Sequence, residues 1–268
     1  MASPGEIKLA TRDKPQRKAA GVAAVDRALA IVAAVEARAA PSTLAELSAA
    51  TDLYKSTILR LLASLENAGY VVRLRDGRYA LGPMTFRLGL SYERANPLRE
   101  HALPVLRDLV ERGTESASLH IRHDATSRIC LLRIDSHHST LDRVRAGDIF
   151  PLERGAAGRI LLAFGDQPGE IYDHFRQAFF AISMGERDPE CAGLASPVFG
   201  PDGALRAALS LSGPRERFNA TTIGRMHGQL LTAARAVTAA LGGSYPRVAK
   251  KFDAAAELAR AVRYAKMR

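Results

Sequence analysis

A chain of 268 residues, 47% hydrophobic and 25% charged, can bury the cores of about two ordinary domains, and its net charge of +10 favours a polyanionic partner. Two cysteines, Cys130 and Cys191, without a CxxC pair or Cys/His cluster, argue against a disulfide framework and a structural zinc site and fit a reducing cytoplasm. No apolar run approaches the roughly twenty residues that a membrane helix needs, and the basic N-terminus lacks the apolar core of a signal peptide. Much of the excess charge sits in residues 1–21, expected to be a disordered basic arm, and in a basic tail over 244–268. Basic tails are often only solubilising, so net charge by itself is weak support for nucleic acid. Val22 to about Ala39 predicts an alanine-rich helix, with Val25, Ala28, Leu29, Val32 and Val35 as its buried stripe.

The next stretch, STLAELSAATDLYKSTILRLLASLENAGYVVRLRDGRYALG, is the most informative in the chain. Thr43 and Glu46 have capping-box spacing, and Leu44, Leu47 and Ala50 give the short helix that follows one apolar face. Thr51-Asp52-Leu53 breaks the pattern before a second helix, whose Ile58, Leu61, Leu62 and Leu65 repeat at i, i+3, i+4, i+7. Gly69 helps to end it, and two apolar runs around Asp76-Gly77 predict a hairpin. Helix, turn, helix, hairpin is the order of a winged helix-turn-helix. Lys55, Ser56 and Arg60 lie off the apolar stripe near the second helix's N-terminus, where a recognition helix meets base edges and phosphates. Arg73, Arg75 and Arg78 cluster on the hairpin, where a wing would meet phosphate or the minor groove. An ordinary solvated basic face would explain any one of these cations; the ordered combination points to double-stranded DNA.

Met84 to about Arg94 reads as a connecting helix, and Asn96-Pro97 as a cap followed by proline at the first position of a helix ending at Gly113. Leu98, Ala102, Val105, Leu106 and Leu109 form its apolar face. Strand character follows at Ser118–Arg122, Arg128–Ile134 and Leu141–Arg145, then short helices over 156–164 and 169–179. Gly193–Phe199 and Leu205–Ser212 predict a hairpin turning at Pro201-Asp202-Gly203, and Ala220–Leu241 a long helix stopped by Gly242-Gly243. A last basic amphipathic helix is expected over 248–265, with Val248, Phe252, Ala255, Leu258 and Val262 on one face. The fold class is α+β, with an antiparallel sheet in the C-terminal domain. The expected division is an arm over 1–21, a winged helix-turn-helix domain over 22–83, a linker helix over 84–95, an effector domain over 96–243 and the basic helix or tail over 244–268.

His120, His123, His137 and His138 have no carboxylate or cysteine at metal-ligand spacing, and Cys130 reads as a buried packing residue. No G-x-S-x-G or phosphate-loop pattern occurs, so neither catalysis nor a metal or other cofactor is expected. An enzyme with an accessory winged helix, using Ser210 or Cys130 as nucleophile, and an architectural DNA binder without an effector are the alternatives.

Three segments carry a family resemblance: VDRALAI at Val25–Ile31, LAELSAATDLYKSTILRLLASLENAGYV with DGRYALG, and GLASPVFGPDGALRAALSLSGP at Gly193–Pro214. On these the chain resembles the IclR family of bacterial transcriptional regulators over roughly residues 22–243. The resemblance implies a winged-helix DNA-binding domain, a dimerising linker helix and a GAF-like effector domain. It further implies a dimer or tetramer on a palindromic operator, responding to a small organic acid or aromatic metabolite as repressor, activator or both. Lys55, Ser56, Thr57 and Arg60 stand where the family's recognition helix contacts DNA, while Tyr54 replaces a proline or small residue. The implied effector pocket comprises backbone amides at a helix start (Ala156, Ala157 and Gly158), Gly193 at a position often Cys or Ser, Ser183 where some members carry an acid, and the pair Ser210 and Ser212. Glu153 replaces a frequent histidine, and the segment between Phe164 and Phe180 is shorter than usual. A helix start offers unpaired N–H groups and the positive dipole end, which suits a carboxylate without a buried arginine. Ser210 and Ser212, two apart on a strand, face the same way.

Overall fold

The computed structural model describes residues 21–38, 40–247 and 252–266, so the basic arm lies outside the described residues. The chain divides into two compact units, up to Arg94 and from Ala95 onward. In the first, α1 (Ala23–Glu36), α2 (Leu44–Thr51) and α3 (Lys55–Asn67) are followed by the antiparallel strands β1 (Val71–Arg73) and β2 (Tyr79–Leu81) and by α4 (Pro83–Ala95). Thr43 and Glu46 form the expected capping box: the Thr43 hydroxyl accepts from the Glu46 amide at 3.2 Å, and the Glu46 carboxylate accepts from the Thr43 amide at 2.7 Å. Asp52 makes the sharp bend after α2 in the left-handed region, at φ 53°. Gly77 does so at the tip of the hairpin, at φ 83°.

Ile31, Val35, Leu47, Ile58, Leu62, Leu65, Val71 and Tyr79 make this unit's core. Two of the five residues of the stripe expected on α1 are therefore exposed. Val25 and Leu29 are 53% and 57% exposed, and Ile31 is buried in their place, because the core meets only the C-terminal half of α1. Ala50 is also exposed, leaving Leu47 as the buried anchor of α2.

The second unit opens with α5 (Leu98–Glu111). Pro97 occupies the cap position itself, one residue earlier than the expected first helical position. A six-stranded sheet follows in the order β5-β4-β3-β8-β7-β6, every neighbouring pair antiparallel. Its strands are β3 (Ser116–Arg122), β4 (Ser127–Ile134), β5 (Ile149–Pro151), β6 (Ala181–Met184), β7 (Cys191–Phe199) and β8 (Leu205–Pro214). Leu141–Arg145 is not a strand; its apolar alternation arises because Val144 and Asp142 are buried individually, Asp142 in ion pairs to Arg133 and Arg187. The short β5 takes its place at the sheet edge.

Side chains alternate along these strands and give the sheet two faces. Leu194, Val198, Leu209 and Leu211 pack beneath α5 and α8 (Ala220–Ala240). Ala195 and Ala208 pack beneath α6 (Ala156–Ala163) and α7 (Glu170–Ala178). The last helix, α9 (Ala254–Lys266), begins later than expected, and Val248 lies outside the described residues. Its Ala261 is buried in the main core, Phe252 stacks on His227 of α8, and Glu257 pairs with His174 of α7 at 2.8 Å. Among the described residues no helix is long and apolar enough to cross a membrane, and no group of three or more His, Cys, Asp or Glu could hold a metal.

Candidate functional site

In the first unit the N-terminal turn of α3 is held outward by the burial of Ile58, Leu62 and Leu65 on its opposite side. Lys55, Ser56 and Arg60 are exposed, and Thr57 is half-buried. Tyr54, which caps the helix, projects beside them at 84% exposure. On the hairpin Arg73, Arg75 and Arg78 are all exposed. They are not equivalent. Arg78 donates to Asp76 at 2.7 Å, which holds the Asp76 carboxyl below its ordinary range, and Arg73 lies over the Tyr79 ring. Arg75 makes no hydrogen bond or ion pair among the described residues. A helix start and a hairpin that present cations from a small rigid core can meet phosphates and base edges.

In the second unit a cavity of about 40 Å³ lies on the α6 face of the sheet. Strand parity assembles its floor. Ser210 and Ser212 of β8 face it together; Gly193 of β7 pairs with Ser212 on one side and Ser183 of β6 on the other. Ala156 and Ala157, at the start of α6, close the opposite wall. Gly158 does not line the cavity: a Cβ there would fall 2.0 Å from the Leu152 carbonyl oxygen, so this glycine serves close backbone packing.

Several lining residues went unseen in the sequence: His120, Arg128, Phe150 and Arg187. Arg128 corrects the expectation that no buried arginine would be needed. It is 3% exposed and donates to the carbonyl oxygens of Pro151 and Arg154, the latter at 2.7 Å. Its guanidinium rests against the first turn of α6, 3.2 Å from where a Gly155 Cβ would stand. Burial, together with the neighbouring Arg187, pushes its pKa down to about 10. Phe150 lies 5.3 Å from the guanidinium carbon of Arg128 and equally far from that of Arg187.

His120 shares an Nε2 contact of 3.1 Å with Ser118, and its buried Nδ1 has no partner. Burial and then the Arg128, Arg133 and Arg187 charges hold it well below the ordinary imidazole range, so the ring is neutral. Ser212 accepts from Arg133 at 3.2 Å, and the Gly155 amide donates to Glu186 at 3.3 Å. The helix start thus already carries one carboxylate. Cys130 is buried and its thiol is pushed up to about 12 by desolvation, which leaves it a packing residue.

Two family models match the chain: one described as the IclR helix-turn-helix domain over residues 24–75, the other as the bacterial transcriptional regulator IclR C-terminal over 169–239. The HTH-type transcriptional regulator BhcR of Paracoccus denitrificans is 27% identical over 266 residues, covering 85% of this chain and 94% of that protein. A solved structure of an IclR-type regulator from Silicibacter sp. TM1040 superposes with a TM-score of 0.73 at 23% identity, covering 85% of this chain and all of that one. An IclR homolog from Microbacterium hydrocarbonoxydans, complexed with 4-hydroxybenzoate, gives a TM-score of 0.71 at 20% identity, covering 82% of this chain and 99% of that one.

Proposed function

Because the chain belongs to the IclR family of bacterial transcriptional regulators, we propose that its α3 surface reads a roughly palindromic operator and the cavity beside α6 a small organic acid. It is a regulator and not an enzyme, as are the family and the named relatives. The observation that carries the operator reading is the outward Lys55, Ser56 and Arg60 at the start of α3, with Arg73 and Arg75 on the wing. Pairing of two copies is supported by apolar side chains that stand exposed among the described residues. Val25 and Leu29 are exposed on α1, and Phe86, Leu88, Leu90 and Tyr92 on α4. Two recognition helices in successive major grooves require half-sites one helical turn, or a multiple, apart. The cytoplasm is where such an operator would be met. An acid bound in the cavity shifts operator affinity only by its differential affinity for the two domain arrangements.

The test is a gel-shift titration, at fixed salt, against DNA flanking the protein's own gene. Arg60→Ala should weaken specific binding by about 1–3 kcal/mol while leaving the thermal transition unchanged. Unchanged affinity would remove the role assigned to α3. Affinity that ignores sequence and collapses with salt would favour an architectural DNA binder instead.

A further inference from the structure

We propose that the cavity selects a compact dicarboxylate of two or three carbons, and that Arg128 is the residue that reads the second carboxylate. The inference rests on the effector reading above and narrows it. Two arginines, Arg128 and Arg187, line the cavity; behind it Arg133 donates to the lining Ser212 and Arg159 to the Ile182 carbonyl, next to the lining Ser183. Their carboxylate partners are fewer. Asp142 is shared by Arg133 and Arg187, Glu186 pairs with Arg159, and the more exposed Asp135 also accepts from Arg133. Arg128 has only backbone carbonyls as acceptors, and its buried Nε has no partner.

A cation so placed, at the start of α6 where Glu186 is already seated, is electrostatically unfavourable twice over, being desolvated and set beside the Arg187 charge. The sequence makes room for it there. A Cβ at Gly155 or Gly158 would lie 3.2 or 2.8 Å from its guanidinium nitrogens. An anion in the cavity would relieve both terms, and a planar carboxylate matches the guanidinium fork. The other carboxylate finds donors in the Ser183 and Ser210 hydroxyls, which make no side-chain hydrogen bond among the described residues. The unpartnered Nδ1 of neutral His120 completes the polar inventory.

Size decides against a ring. About 40 Å³ holds about three waters, at roughly 10–15 Å³ each, which a two- or three-carbon diacid can displace and an aromatic acid cannot.

Isothermal titration of the full chain with malonate, acetate and 4-hydroxybenzoate tests this. Malonate should bind at least tenfold more tightly than acetate, and 4-hydroxybenzoate should not compete. Arg128→Gln should lower malonate affinity at least tenfold and leave acetate within about twofold. Should that variant fail to fold by circular dichroism, Arg128→Lys, which keeps the charge but loses the fork, should still lower malonate affinity severalfold. Malonate affinity unchanged in a folded Arg128 variant, or a preference for acetate, would overturn the proposal. If 4-hydroxybenzoate binds and malonate does not, the dicarboxylate falls while the effector reading stands. If none of the three binds or alters operator affinity, both fall.

Discussion

At Gly158 a hydrogen atom stands where any other side chain would meet the Leu152 carbonyl at 2.0 Å and Arg128 at 2.8 Å. The first contact is with backbone and cannot be relieved by a rotamer. Gly158→Ala should therefore destabilise the second unit by about 1–3 kcal/mol, read as a lower denaturant midpoint, despite alanine's better helix propensity. Two imidazoles, the buried His120 and the half-buried His227, act on stability through protons instead. Burial lowers His227 to about 4, with Arg235 acting in the same direction and Glu257 opposing, and His120 is lowered also. As pH falls below about 6.5 the unfolded chain takes up these protons while the folded chain refuses them, so stability falls through the window toward pH 4. Above that window they contribute no pH dependence. His227→Phe keeps the ring stacked on Phe252 and should shrink the loss of melting temperature between pH 7 and pH 5. An equal loss in both proteins would dismiss His227 as its source.

Among the elements, the bend between α2 and α3 is the one on which the surface proposed to face DNA depends, and it is made by a non-glycine residue at φ 53°. Asp tolerates this conformation; a β-branched residue does not. Asp52→Val should cost about 1–2 kcal/mol and weaken operator binding, whereas Asp52→Gly should be neutral or slightly stabilising in chemical denaturation. Elements with a local cause were readable in advance: the capping box at Thr43, the stripe of α3, the hairpins at Asp76-Gly77 and Pro201-Asp202-Gly203. Ser183, Gly193, Ser210 and Ser212 were nameable because a resemblance pointed to them, and parity alone already put the two β8 serines on one face. His120 and Arg128 were not, because they reach the cavity only through the pairing of β3 with β8 and with β4, which no local pattern announces. Leu141–Arg145 was misread for the converse reason. Its buried residues answer to an ion pair and to packing, and no strand ladder is involved.

For the molecule as a whole, the family models end at residue 239, and α9 lies beyond them. It is nevertheless joined to the fold on both sides of the sheet. Phe252 meets Phe180 and His227, Glu257 meets His174, and Tyr264 covers the Arg159 guanidinium at 4.0 Å. Removing everything after Gly243 would expose part of the core around Ala261 and leave His174 unpaired in a buried setting. At about 25 cal/mol per Å² of apolar surface, a loss of roughly 3 kcal/mol is expected, seen in calorimetry as a melting temperature lowered by about 6–12 °C. A truncated protein that melts with the full chain would make α9 an ornament.

One strand gives that helix a second importance. β6 is hydrogen-bonded to β7 on one side only, and α9 packs along it. An uncovered strand border offers a row of unsatisfied amides and carbonyls to any extended chain that drifts past, and β6 is apolar enough to attract one. With α9 seated, copies of this regulator have that route to fibrous stacking closed to them. A fusion that drags the C-terminus away would reopen it, and the symptom would be turbidity on standing, before any change in DNA affinity.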